Sequence, residues 1–241
     1  MFSQFLSSLF SSGTSDTSHA KDASSNSGIR FTNQEDILKQ AGAPANEAGI
    51  CFQLTNLYTG YEIDKKKNKE QNFLNDSPDK VYEKAMVERK HQETLLQQGE
   101  DGYHSAFVDN AIPYQWEVVK AEEVKTKEGL GAKLEKVEHA MLLFEVPSVE
   151  KKNAEEAVRD EKADTGSVRS FHQVAVGHDS EKKDQCYLFD ANIGAKTASC
   201  PEIYGELSST LFKYMAPKAD EVLIVSDRKH TISYTSSCQE R

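Results

Sequence analysis

Apolar side chains with helical spacing surround Cys51. They recur at the spacing of one helix face, at Ile50, Leu54, Leu57, Tyr58 and Tyr61. This spacing predicts a helix that is buried along one side and carries Cys51 in its first turn. The preceding run from Pro44 to Gly49 is typical of a loop that leads into a helix.

Other stretches of the first two thirds favour helices or surface segments. Residues 78–98 carry spaced apolar side chains among charged ones after a Ser-Pro start, which predicts an amphipathic helix. Residues 117–138 are mostly polar and are interrupted around Gly129 and Gly131, which predicts two short helices. Residues 150–164 are charged without an apolar face, so we expect a surface excursion there.

The second half of the chain carries short apolar runs rich in β-forming residues, at 140–146, 170–178, 185–190, 221–226 and 230–234. The first of these, closed by Pro147, is predicted to be the first central strand. Together the patterns predict an α+β fold, in which a helical subdomain bearing Cys51 packs on an antiparallel sheet with a cleft between them.

The runs 170–178 and 185–190 flank a charged segment and predict a β-hairpin. If the turn is centred near Glu181, His172 lies opposite Asp190, with Cβ atoms about 5 Å apart. Asp190 would then accept a hydrogen bond from one imidazole nitrogen and leave the other facing a thiol. His178 shares the face of His172, but it lies beside the turn, and we interpret it as a solvated turn residue.

A cysteine, a histidine and an aspartate in this order suit a nucleophile, its base and an orienting carboxylate. The first turn of a helix stabilises a thiolate through the helix dipole and its unpaired N–H groups. Asn46, five residues before Cys51, is a candidate oxyanion-hole donor together with the Cys51 N–H. The alternative interpretation is that Cys51 is a small buried hydrophobe and Asn46 a turn residue.

Three short segments resemble the motif blocks of the YopT/AvrPphB family of type III secreted cysteine proteases: Gly49–Thr55, His172–Val176 and Leu188–Gly194. The chain departs from the family pattern at Gln173, where alanine is usual, at Ala191, where proline is usual, and at Ile193, where an aromatic residue is usual. It also lacks a tryptophan after the Cys51 helix.

The resemblance implies a papain-like fold, with Cys51 as nucleophile, His172 as base, Asp190 as orienting carboxylate and Asn46 in the oxyanion hole. It also implies a virulence effector that is secreted into the cytoplasm of a host cell and acts on a host protein, with no cofactor and no metal. Peptidase activity is the first hypothesis. A glutamine deamidase or transglutaminase on the same scaffold and a non-catalytic host-protein-binding module remain the alternatives.

The amino-acid composition limits the number of domains, the kinds of partner and the state of the cysteines. The 241 residues, 37% of them hydrophobic and 28% charged, suit one domain over residues 31–235, with a leader at 1–30 and a flexible tail at 236–241. A net charge of −10 without a basic stripe disfavours nucleic-acid binding, and the run Lys65–Lys67 is interpreted as a solvated helix end. The four cysteines show no zinc or disulfide spacing, so we expect all of them to be reduced.

The leader has ten serines among its first 28 residues, which predicts disorder. It lacks the basic start of a Sec signal peptide, and no stretch of the chain approaches the roughly 20 apolar residues of a membrane span. In the resembled family such a leader directs secretion, which makes it a candidate site for a secretion chaperone. The alternative is an ordinary flexible tail.

Overall fold

The computed structural model describes residues 33–44, 49–68, 72–100, 102–147, 170–179, 181–182 and 184–227. Several predictions lie outside these residues: the leader, Asn46, the surface excursion at 150–164, the strand at 230–234 and the tail. They stay predictions, as do the domain bounds 31–235.

The part of the chain before the sheet is helical. Its helices are α1 (Gln34–Gln40), α2 (Cys51–Asn68), α3 (Pro78–Gln97) and α4 (Ser105–Asp109), with 3₁₀ turns at Phe73–Asn75 and Gly102–His104. The helix predicted to carry Cys51 in its first turn is confirmed as α2. The amphipathic helix predicted over 78–98 is confirmed as α3, and it buries Val81, Ala85 and Leu95 along one side.

The sheet has six strands in the order β1-β6-β2-β3-β4-β5, and every neighbouring pair is antiparallel. The strands are β1 (Tyr114–Lys120), β2 (His139–Val146), β3 (Ser170–His178), β4 (Gln185–Asp190), β5 (Gly194–Ser199) and β6 (Glu221–Asp227). The connecting helices are α5 (Ala121–Val124), α6 (Lys127–Leu134) and α7 (Cys200–Tyr214). The α+β class and the described strands predicted from apolar runs are therefore confirmed.

The prediction for residues 117–138 is wrong in part. Residues 117–120 belong to β1, an edge strand whose residues are mostly exposed, so it lacks the apolar alternation of a half-buried strand. The two short helices exist, but they are separated at 125–126, and both glycines lie inside α6. A Cβ at Gly129 would overlap the carbonyl oxygen of Glu123. That glycine therefore permits close contact with α5 instead of breaking the helix.

Helices cover both faces of the sheet, whereas the sequence predicted one helical subdomain. On one face α6 and α7 pack against β2 and β3, as Leu130, Ile203 and Leu211 share a buried cluster with Phe144 and Val174. On the other face α2 and α3 pack in a second cluster with β3 and β4, which includes Leu54, Tyr58, Val81, Ala175, Tyr187 and Phe189. Strand β3 is therefore buried on both sides, which fixes its position beneath α2.

A buried charge cluster ties the second half of α2 to the β3–β4 turn. The Lys65 Nζ lies 3.4 Å from a Glu62 oxygen, 3.7 Å from Asp179 and 3.6 Å from Glu181. Burial raises the pKa of Glu62, and the Lys65 charge opposes that rise. Since the Lys65 side chain is only 16% exposed, its interpretation as part of a solvated helix end is wrong.

We predict that Lys65→Met lowers the free energy of unfolding by about 1–3 kcal/mol, because it leaves the buried carboxylates of Glu62 and Asp179 without a countercharge. Lys84→Met is the matched control, since Lys84 forms a half-exposed pair with Asp76 at 2.8 Å and should cost less than about 1 kcal/mol. Urea unfolding followed by circular dichroism measures both. Equal losses in the two variants would contradict a structural role for the cluster.

Candidate active site

Cys51 is the first residue of α2 and so lies in the first turn of a helix, as the apolar spacing predicted. It is 3% exposed and lies in the buried cluster with Ile50 and Leu54. Among the described cysteines it is the one free thiol. Because the first N–H groups of a helix have no intrahelical acceptor, the Cys51 N–H is available to a developing negative charge beside its own sulfur.

His172 and Asp190 form a buried pair. Nε2 of His172, on β3, lies 2.9 Å from Oδ1 of Asp190, the last residue of β4, and the two residues are 1% and 3% exposed. The predicted register is wrong by two residues, because Asp190 lies opposite Val174. The turn is centred one residue later than predicted. A slip of two positions keeps both side chains on the same face, so His172 still reaches Asp190 diagonally.

The second ring nitrogen of His172 is left for the thiol. Nδ1 is buried and has no hydrogen-bond partner of standard geometry. The Cys51 side chain acts on the imidazole as a hydrogen-bonding and charged neighbour, and both effects raise the pKa of His172. The structure thus brings together the three residues predicted as the triad, from the start of α2 and from two adjacent strands.

Two opposing influences set the ionisation of His172. Burial is the largest single influence and lowers its pKa, but the charge and hydrogen bond of Asp190, joined by Cys51, outweigh it and raise the pKa to about 10. His172 is therefore an imidazolium at neutral pH. An imidazolium beside a thiol is the partner that a thiolate nucleophile requires.

A buried hydrogen bond holds α2 against β3 one turn beyond the site. The Thr55 hydroxyl donates to the Gln173 carbonyl oxygen over 3.1 Å. Thr55 follows Cys51 by four residues, and Gln173 follows His172 directly. The side chain of Gln173, one of the departures from the family pattern, donates to the carbonyl oxygen of Tyr103 over 3.2 Å. The bond between Thr55 and Gln173 therefore fixes α2, which carries Cys51, relative to β3, which carries His172.

Gln34 is a site residue that the sequence analysis missed. It is the first residue of α1 and is 1% exposed. Its Oε1 accepts from the N–H of Ile50 over 2.9 Å, and its Nε2 donates to Oδ1 of Asn192 over 2.5 Å. Its own N–H donates to the Ala191 carbonyl oxygen over 2.6 Å. One side chain therefore joins the residue before Cys51 to the turn after Asp190.

Asn192 extends this connection to the imidazole. Its N–H donates to Oδ1 of Asp190 over 2.8 Å, and its Nδ2 lies 3.4 Å from Nε2 of His172. Asn192 lies in the third resembled motif block, so a sequence motif indicates its position. Gln34 carries no such signal, since its contacts depend on how α1 packs and not on local spacing.

The cysteine prediction is wrong for one pair. Cys186 and Cys200 form a disulfide, although they were expected to be reduced. The pairing of β4 with β5 places Ala198 opposite Cys186. Cys200 follows Ala198 by two residues and is therefore brought close to Cys186.

The interpretation of His178 as a solvated turn residue is also wrong. His178 is half-buried, and its Nδ1 lies 3.9 Å from the Cys186 sulfur and 3.8 Å from the Cys200 sulfur.

No helix in the described part of the chain is both long and apolar enough to cross a membrane.

Comparison with known proteins gives one structural likeness. No family model matches the chain, and no curated protein matches it in sequence. The crystal structure of the Pseudomonas avirulence protein AvrPphB is similar to this chain with a TM-score of 0.43 at 14% sequence identity, over 83% of this chain and 98% of that chain. At this TM-score the overlap says nothing about the chemistry of the site.

We predict that Gln34→Ala lowers the rate at which iodoacetamide alkylates Cys51 at pH 6.5 by about tenfold, because the amino end of α2 loses its connection to the Asp190 turn. Gln40→Ala, at an exposed position of the same helix, is the matched control. Peptide mass spectrometry measures the rate, and circular dichroism verifies that both variants fold. Identical rates in the two variants would remove Gln34 from the site.

We also predict a pH dependence of stability from His172. Its pKa is raised from 6.5 to about 10 by folding, so the native state binds the extra proton between these values. The stabilisation by the protonated imidazole is complete below pH 6.5 and is lost as the pH rises toward about 10. The unfolding free energy of the wild type relative to His172→Gln should therefore fall from pH 7 to pH 10 in urea titrations. A difference that rises with pH would contradict an imidazolium in the native state.

Proposed function

We propose that this protein is a cysteine-type hydrolase that cleaves amide bonds of a protein substrate, with peptidase activity as the primary reaction. The observation that supports the proposal is the convergence of Cys51, His172 and Asp190. Helix α2 and strands β3 and β4 bring these three residues to one buried site, with the 2.9 Å pair between His172 and Asp190 at its centre. A nucleophile, a base and an orienting carboxylate in contact are the requirements for acyl transfer through a thioester.

In the first step the Cys51 sulfur attacks the carbonyl carbon of the scissile amide. The protonated His172, held in place through Nε2 by Asp190, keeps its Nδ1 proton beside the sulfur and the leaving nitrogen. The N–H of Cys51 at the start of α2 donates to the developing oxyanion. Asn46 is the proposed second donor of this oxyanion hole.

In the second step the tetrahedral intermediate collapses and the C–N bond breaks. His172 gives its Nδ1 proton to the leaving amine, so the acyl group remains on Cys51 as a thioester. The now neutral His172 accepts a proton from water, which attacks the thioester and releases the acid and the thiol.

The group that is attacked and the attacking molecule decide the reaction type. Water on a backbone acyl group gives proteolysis. Water on a glutamine acyl group gives deamidation, and an amine in place of water gives transglutamination.

The substrate class proposed is a host protein, and the proposed place of action is the host cytoplasm after secretion. This part of the proposal rests on the three resembled motif blocks and the serine-rich leader. The leader is the proposed contact for a secretion chaperone.

We predict that His172 controls the pH profile of Cys51. Because Cys51 is 3% exposed, its alkylation rate is compared with its own plateau at pH 10 and not with that of another thiol. Wild-type Cys51 should keep most of that plateau rate at pH 6.5. In His172→Ala the rate should fall about tenfold for each pH unit below an ordinary thiol pKa of about 8.5. Superimposable profiles would refute the catalytic pair and favour the binding module.

The reaction type is tested with a eukaryotic cell lysate. The wild type should generate protein amino termini that Cys51→Ala does not, and Asp190→Asn should generate them at least about 10²-fold more slowly. Labelling of new amino termini followed by mass spectrometry detects cleavage. The mass gain of a Gln-to-Glu conversion would indicate a deamidase, and glutamine-to-amine cross-links would indicate a transglutaminase. Products that are equal in the wild type and Cys51→Ala would overturn the mechanism.

A further inference from the structure

Three metal-ligating side chains meet at the end of the β3–β4 hairpin that is remote from His172. They are His178 at the end of β3, Cys186 near the start of β4 and Cys200 at the start of α7. Their donor atoms all lie within 4.8 Å of one another. The proposed reaction uses none of the three, and all are separate from Cys51.

We propose that this cluster is a zinc site when the Cys186–Cys200 disulfide is reduced. Two thiolates and one imidazole are a donor set that zinc prefers, and three protein ligands leave the fourth tetrahedral position to water or to an external ligand. His178 presents a single atom, Nδ1, to both sulfurs, at 3.9 Å from Cys186 and 3.8 Å from Cys200. The three donor atoms therefore lie close enough to converge on one ion once the S–S bond is broken.

The surroundings of the sulfurs favour the thiolates that bind a metal. Cys200 is the first residue of the 15-residue helix α7, so its sulfur lies at the positive end of the helix dipole. The hydroxyl oxygen of Tyr204, one turn further along α7, lies 3.6 Å from the Cys186 sulfur. Because a thiolate carries no proton, the hydroxyl is the group that would donate to it. A second-shell donor of this kind orients a metal-bound sulfur and disperses its charge.

His178 is also suited to coordination through Nδ1. Its Nε2 accepts no hydrogen bond from any described residue, so no neighbour forces the ring proton onto Nδ1. Its backbone N–H donates to the Glu138 carbonyl oxygen over 2.8 Å, which holds the end of β3 in place. His178 and Cys200 are half-buried, which leaves a route by which an ion enters.

Disulfide and metal exclude each other because both use the same sulfur atoms. A dithiol reductant transfers two electrons and two protons to the disulfide, which breaks the S–S bond, gives two thiols and leaves the reductant as its own disulfide. Zn²⁺ then displaces the two thiol protons and forms two Zn–S bonds. The Cα atoms of the two cysteines lie 4.7 Å apart, so side-chain rotation is enough to separate the sulfurs around an ion.

Metal binding to the full chain tests the site. The protein is reduced with a phosphine without oxygen and titrated with Co²⁺, and Zn²⁺ is then added. We expect one Co²⁺ per chain, with sulfur-to-cobalt charge-transfer bands and tetrahedral d–d bands that Zn²⁺ abolishes. The oxidised chain should show neither. Cys186→Ser, Cys200→Ser and His178→Asn should each weaken binding by at least about tenfold.

Cys51→Ser and Cys238→Ser are the matched controls, and both should bind Co²⁺ like the wild type. Because a variant that fails to fold would also lose the metal, a second measurement uses the wild type alone. Zn²⁺ should protect Cys186 and Cys200 from alkylation and leave Cys51 unprotected, as read by peptide mass spectrometry. Co²⁺ titration curves of Cys186→Ser and Cys200→Ser that match the wild-type curve, or equal alkylation of all cysteines with and without Zn²⁺, would overturn the proposal.

Discussion

The buried pair between His172 and Asp190 is the interaction on which the site depends. Neither residue is more than 3% exposed, so water stabilises neither charge. An isolated buried charge is strongly unfavourable, and the pair is stable because the 2.9 Å contact supplies each member with its countercharge. Burial alone would make His172 neutral. Asp190 and Cys51 keep it protonated, which converts a core position into a proton donor and acceptor.

The His172–Asp190 pair can exchange a proton with the thiol only if Cys51 is held at Nδ1, the remaining ring nitrogen of His172. Contacts at three levels of α2 hold it there. Gln34 binds the residue before Cys51, Thr55 bonds to β3 one turn later, and Lys65 joins the second half of the helix to the β3–β4 turn. Because the same two strands carry His172 and Asp190, each contact fixes the helix relative to the hairpin and so restricts the motion of the sulfur.

The sequence reveals those parts of the site that local pattern controls. Apolar spacing locates the first turn of α2, and β-forming runs locate the hairpin. The register was missed by two residues because the charged turn carries no signature of a defined turn type, yet the even slip preserved the shared face of His172 and Asp190. The sequence analysis did not find the contacts of Gln34, the disulfide, or the edge strands β1 and β5. These features depend on contacts between segments that are distant in sequence, which local periodicity does not reveal.

The two ends of the β3–β4 hairpin differ in their chemistry, and α7 runs between them. Strand β4 carries Cys186 in the sulfur cluster and Asp190 in the candidate active site. Helix α7 begins at Cys200 and ends at Tyr214, whose pKa rises to about 12 through burial and then through the charge of Asp190. The helix thus lies along both ends. The disulfide joins the first residue of α7 to β4, and the packing of α7 against β4 brings Tyr214 under the influence of the Asp190 charge.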